Sequence, residues 1–88
     1  MDLGKRFGRN LARERKAAEL SQEELAARAA IHRTQISLFE SGKRVPKFDV
    51  LVKLAGALGT SLDSLADGIT WTPTVTTPGE FNVSDLLK

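Results

Sequence analysis

The chain has 88 residues, 41% of them apolar, a formal charge of +2 and no cysteine. A chain of this length can bury one modest core, and the missing cysteines exclude a disulfide framework or a thiolate metal site and fit a reducing cytoplasm. No apolar run approaches the roughly 18 residues of a membrane span, and the first residues lack the apolar core of a signal peptide. The charge is unevenly placed. Eleven Lys or Arg stand against six acids up to Lys47, and two against five beyond it, so the first half is suited to a polyanionic partner.

Leu3, Phe7 and Leu11 recur every fourth residue among Arg and Lys. This spacing predicts an amphipathic first helix running to about Ala18, weakened at its start by Gly4 and Gly8. Ser21 and Glu24 form a capping-box pair that opens a second helix, with Leu25, Ala26 and Ala29 inward. Its small alanines permit a close crossing by another helix. Ala30 and Ile31 occupy a tight turn, with Ile31 directed to the core. His32 or Arg33 opens a third helix that carries Ile36 and Phe39 inward and stops at Gly42. After the loop KRVPK, a fourth helix places Phe48, Leu51, Leu54, Ala55 and Leu58 on its apolar stripe and ends at Gly59. Thr60 or Ser61 caps a short fifth helix that buries Leu62 and Leu65.

Beyond Gly68, apolar and polar residues alternate at Ile69, Trp71 and Val75 and again at Phe81 and Val83, around a Thr-Thr-Pro-Gly turn signal. The pattern predicts an extended arm or hairpin. A lone hairpin is marginal in water, so the arm packs on its own body, meets another chain or stays disordered. The expected architecture is therefore all-α: a five-helix domain over 1–67, followed by an extended, hairpin-like arm over 68–88.

Two helices joined by a tight turn, the second with polar residues outward, suit the DNA major groove. That groove admits one helix and shows each base pair as a distinct donor and acceptor pattern. The first helix of such a pair lies across the phosphate backbone. Arg33 can donate two hydrogen bonds to a guanine edge. Thr34 and Ser37 can also reach bases, and Gln35 ranks below them. His32, alone of its kind and without neighbouring metal ligands, is better placed near a phosphate than as a catalytic base. Lys43, Arg44 and Lys47 are expected on phosphates or in solvent.

The run LSQEELAARAAIHRTQISLFESGKR, with LVKLAGALGTSLDSL behind it, closely resembles the Cro/repressor (XRE-type) helix-turn-helix family, a likeness extending from Leu3 to Asp67. The resemblance implies a repressor-like, five-helix DNA-binding domain, its motif at 21–44, that acts as a dimer on a pseudo-palindromic operator. Residue by residue, Gln22 matches a phosphate-contacting glutamine. Arg33 and Thr34 match base-reading positions, and Ser37 and Leu38 the next outward turn. Lys43 and Arg44 match a phosphate-binding loop, and Arg15 with Glu40 a partly buried salt bridge. Ala30 departs from the glycine usual at the turn. Leu38 stands where long polar side chains are common, and meets a thymine methyl or is simply a surface leucine.

The expected function is a transcriptional regulator of bacterial or phage type, a repressor binding double-stranded DNA as a homodimer in the cytoplasm, nucleoid-associated when bound. An alternative is an antitoxin-like interaction module whose tail, 69–83, binds a partner protein. On either reading Ile69, Trp71, Val75, Phe81 and Val83 are the candidate contacts with another chain. No cofactor or metal is expected, and no enzyme, since there is no cysteine, only one histidine, no phosphate-cradling glycine loop and no paired acids placed in a plausible cleft.

Overall fold

Asp2 opens the first helix, its carboxylate accepting from the Lys5 amide at 2.7 Å. In the computed structural model, which describes residues 2–74 and 79–84, that helix is α1 (Leu3–Ala17). It is followed by α2 (Gln22–Ala29), α3 (Arg33–Glu40), α4 (Phe48–Leu58) and α5 (Leu62–Leu65). Strands β1 (Ile69–Thr72) and β2 (Glu80–Val83) then pair as an antiparallel hairpin. Five helices and a hairpin arm are the expected architecture. Among the described residues no helix is long and apolar enough to cross a membrane.

Side chains from every helix share one core: Phe7 and Leu11 of α1, Leu25, Ala26 and Ala29 of α2, Ile36 and Phe39 of α3, Leu54 and Ala55 of α4, Leu65 of α5, and Leu20 between α1 and α2. Ile31 packs half-buried against it, as do Leu51 and Leu58. Three expected core residues are not in it, the first being Leu3, which is half-buried in the opening turn of α1. Phe48 is 71% exposed, because the first residue of α4 sits roughly a quarter-turn from the centre of that helix's buried face. Leu62, which opens the single turn of α5, is 36% exposed, while Leu65 is fully covered.

Gly4 and Gly8 do more than weaken a helix start. A Cβ at Gly8 would lie 2.4 Å from the Phe39 carbonyl oxygen and 2.5 Å from that of Glu40, and one at Gly4 would lie 2.7 Å from the Gly42 oxygen. The two glycines let α1 meet the backbone at the end of α3 directly.

Four helices stop in the same way. A residue at positive φ follows the helix, and the next amide reaches back to a carbonyl five residues earlier: Leu20 to Arg15, Ile31 to Ala26, Lys43 to Leu38, and Thr60 to Ala55, at 3.0–3.1 Å. This arrangement satisfies carbonyls that have lost their helical partners. Glycine fills the left-handed position at Gly42 and Gly59, but Glu19 (φ 58) and Ala30 (φ 56) fill it elsewhere. The turn at Ala30 thus keeps the left-handed geometry and accepts the strain.

The arm begins where α1 holds it. Asn10, 1% exposed, donates its side-chain amide to the carbonyls of Leu65 and Asp67, both at 2.9 Å. Arg6, 5% exposed, donates from Nε to the Asp67 carbonyl at 3.1 Å and from Nη1 to that of Ser84 at 2.5 Å. In the hairpin Ile69 pairs with Val83 and Trp71 with Phe81. Ile69 and Val83 are half-buried at its base. Trp71 and Phe81 meet edge-to-face, 5.1 Å between ring centroids, and stay 52% and 57% exposed. Val75 lies outside the described residues.

Two alanine–glycine exchanges should act in opposite directions. Gly8→Ala, favoured by helix propensity, should lower stability by about 2 kcal/mol or more because backbone must move. Ala30→Gly should raise it by about 1 kcal/mol by relieving the left-handed strain. Urea-unfolding midpoints of the two variants check both signs.

Candidate nucleic-acid interface

Helix α3 has a buried side and a presented side. Ile36 and Phe39 face the core, and at about 100° per residue Arg33, Thr34, Ser37 and Leu38 fall together on the opposite arc. Arg33, Thr34 and Ser37 are exposed and Leu38 is half-buried at the edge of that arc. Gln35 points aside, half-buried. His32 is the N-cap, its Nδ1 accepting from the Thr34 amide at 3.0 Å. An imidazole accepting there keeps its proton on Nε2, at the exposed mouth of the helix.

The opposite end of α3 is held by charge. Arg15 of α1 grips Glu40 bidentately, Nε to Oε2 at 2.6 Å and Nη2 to Oε1 at 3.0 Å, and its Nη1 donates to the Leu20 carbonyl at 2.9 Å. The two side chains are only 13% and 10% exposed. The hydrogen bonds to Glu40 hold the Arg15 guanidinium above its ordinary pKa. Gln22 joins this cluster, donating from Nε2 to Glu40 Oε1 at 3.1 Å. Its amide therefore braces α3, which sequence reading alone did not foresee. Helix α3 carries one acid, and that acid is turned inward to Arg15.

What remains outward is positive. Arg33 and the loop residues Lys43, Arg44 and Lys47 are exposed, and among the described residues none of the four makes an ion pair with the protein. The α2 N-terminus adjoins the Arg15–Glu40 pair through Gln22. Its capping box is complete: Ser21 Oγ accepts from the Glu24 amide at 3.0 Å and Glu24 Oε1 from the Ser21 amide at 2.8 Å. Unpaired cations flanking a polar helix face can neutralise phosphates on either side of a groove while the helix meets base edges. No group of three or more His, Cys, Asp or Glu suited to a metal ion occurs among the described residues.

Sequence reasoning missed Arg6, Asn10 and the close approach at Gly8. The signal available was the spacing of Gly4 and Gly8, two glycines on one helical face beside Phe7 and Leu11.

A helix-turn-helix family model matches residues 11–65. The HTH-type transcriptional regulator y4dJ of Sinorhizobium fredii is 41% identical over 78 residues, which span 89% of this chain and 95% of that protein. The CTXphi transcriptional repressor RstR of Vibrio cholerae is 40% identical over 55 residues, 62% of this chain and 49% of its own. The crystal structure of the restriction-modification controller protein C.AhdI from Aeromonas hydrophila is similar with a TM-score of 0.67 at 34% identity. That match covers 69% of this chain and 92% of that one.

Two variants probe the supports of α3. Glu40→Ala strands the Arg15 charge and should cost about 3–5 kcal/mol of unfolding free energy, read by chemical denaturation. Hydrogen bonds from Ser21, the backbone one first, hold the Glu24 carboxyl below its ordinary value of 4.5. A depressed folded pKa means that the stabilisation is present above 4.5 and is lost as pH falls through the lowered value. The stability difference between the wild-type chain and Glu24→Gln should therefore shrink as pH falls from 7 to 3.

Proposed function

This chain belongs to the XRE/Cro-type helix-turn-helix family of DNA-binding transcription regulators, and from that premise we propose that it is a repressor binding a pseudo-palindromic operator as a homodimer. The observation that carries the reading is the division of α3. Arg33, Thr34, Ser37 and Leu38 share its presented arc, while the acid of the same helix is bound to Arg15 behind it. On this reading α3 lies in the major groove. Arg33 reads a guanine through O6 and N7, Thr34 and Ser37 read adjacent edges, and Leu38 meets a thymine methyl. Lys43, Arg44 and Lys47 sit on phosphates, as do His32 and the capped start of α2 at Gln22. The similarity to the repressor RstR supports repression over activation.

Residues 1–67 then form the DNA-binding domain and 68–88 an arm that meets another protein chain. The exposed Trp71–Phe81 pair favours that role, because paired aromatics half open to water are typical of a surface awaiting a partner. Ile69 and Val83 fix its base. An antitoxin-like arrangement, with the arm on a toxin and α3 on DNA, uses the same features. The protein works in the cytoplasm, on the nucleoid when bound, and without a catalytic role.

Two alanine variants separate reading from anchoring on an operator obtained by in vitro selection. Arg33→Ala should lose about 1–3 kcal/mol on that operator and little on random DNA. Lys43→Ala should weaken binding to both alike and reduce the salt slope by about 1. Equal losses on operator and random DNA for Arg33→Ala would remove the base-reading role.

A further inference from the structure

Helix α4 is apolar on more sides than its own core uses. Of its eleven residues only Leu54 and Ala55 are buried, and only Asp49 and Lys53 are charged. A surface helix ordinarily turns a polar face to water. Here Phe48 (71% exposed), Val52 (46%), Gly56 and the following Gly59 form an outward apolar edge, within an arc of about 80°.

Bulk and charge along that edge both match a second copy of itself. Phe48 stands at one end and Gly56 about 12 Å further along, with Val52 midway. A Cβ at Gly56 would meet nothing within 4 Å, so the surface above that glycine is open. Asp49 and Lys53 lie exposed on one flank of the edge. A second α4 laid antiparallel about a two-fold axis at Val52 brings each Phe48 ring over the other copy's Gly56. The same operation sets Asp49 of each copy beside Lys53 of the other. A parallel arrangement would set ring on ring and would place the Asp49 and Lys53 flanks of the two copies on opposite sides of the seam, out of reach of each other.

We infer that two copies of this chain pair through the outer edge of α4, antiparallel about Val52, by these two reciprocal contacts. The inference rests on the dimer proposed above and gives it a location. It also explains why a phenylalanine that fits the core pattern is left in water, and it leaves Trp71 and Phe81 to a different contact. A self-complementary patch used twice is the usual route to a closed pair. Because α3 and α4 are joined only by the loop from Ser41 to Lys47, a fixed α4 pair also fixes the spacing of the two α3 helices.

Sedimentation equilibrium of the full chain tests this. Asp49→Lys and Lys53→Asp should each weaken self-association about three- to fivefold by opposing like charges, and the two together should return it to near the wild-type value. Val52→Glu, which sets two carboxylates against each other on the axis, should weaken it about a hundredfold or more, with an unchanged circular dichroism spectrum showing that the fold survives. A double reversal no tighter than either single one overturns the pairing, as does a Val52→Glu chain that dimerises like the wild type. Loss of the dimer on Trp71→Ala/Phe81→Ala, with no effect of Val52→Glu, moves the interface to the arm. A wild-type chain that is monomeric both free and on its operator overturns the dimer reading itself.

Discussion

How α3 is held from behind decides what it can present in front, and that hold is the backbone contact with α1 at Gly8. With no side chain there, α1 lies directly against the carbonyl groups of Phe39 and Glu40. At that separation Arg15, two turns further along, can close a bidentate pair with Glu40 and still reach the Leu20 carbonyl. Replacing a buried pair by well-packed apolar residues is often neutral or stabilising. Its value here lies in geometry: it sets the rotation and tilt of a helix of eight residues that has little core of its own. Gln22 adds a third strut from α2. The hold also neutralises the one acid of α3, so the geometric and electrostatic effects come from the same three side chains.

The repeated helix ends show how a short chain makes its sharp turns. Each stop requires a left-handed residue, and two of the four are glycine. Ala30 and Glu19 accept a cost of about 1 kcal/mol each for the same geometry. At Ala30 the return is the turn between α2 and α3, which holds the two helices at a fixed angle and points Ile31 at the core. His32 takes the capping place more often given to Ser, Thr, Asp or Asn. Its ring carries the cap and a free Nε2–H at the same helix mouth.

Much of this was legible in the sequence because local signals agreed with one another. The Ser21–Glu24 box, Gly42 and Gly59 marked ends that the structure has at the same places, and the inward positions of α2 and α3 followed from their spacing. Phe48 fitted the stripe of α4 by period, but period cannot tell the middle of a buried face from its rim. Leu62 failed for the same reason in a helix of one turn. Arg6 and Asn10 were hidden because a buried arginine and asparagine look like surface residues until the carbonyls they serve are known. Those carbonyls lie more than fifty residues away in the chain. On the presented side, sequence order gave which α3 residues point outward, but not that the Gln22 amide is already engaged.

The clasp at Arg6 ties the arm to the same helix that sets α3. Its guanidinium donates to a carbonyl on each side of the hairpin, at Asp67 before β1 and at Ser84 after β2. Glycine suits position 68 for two reasons: its φ is +79°, and a Cβ would lie 2.3 Å from the end of the Arg6 side chain, which would have to shift. Arg6 and Gly8 are two residues apart on α1, one facing the arm and the other facing α3. The aromatic pair at the hairpin and the polar arc of α3 are thus mounted on one rigid helix of fifteen residues. Their relative placement follows from hydrogen bonds and backbone contact along α1 rather than from a flexible linker. A chain held by Trp71 and Phe81 would be positioned against the presented side of α3 by that helix.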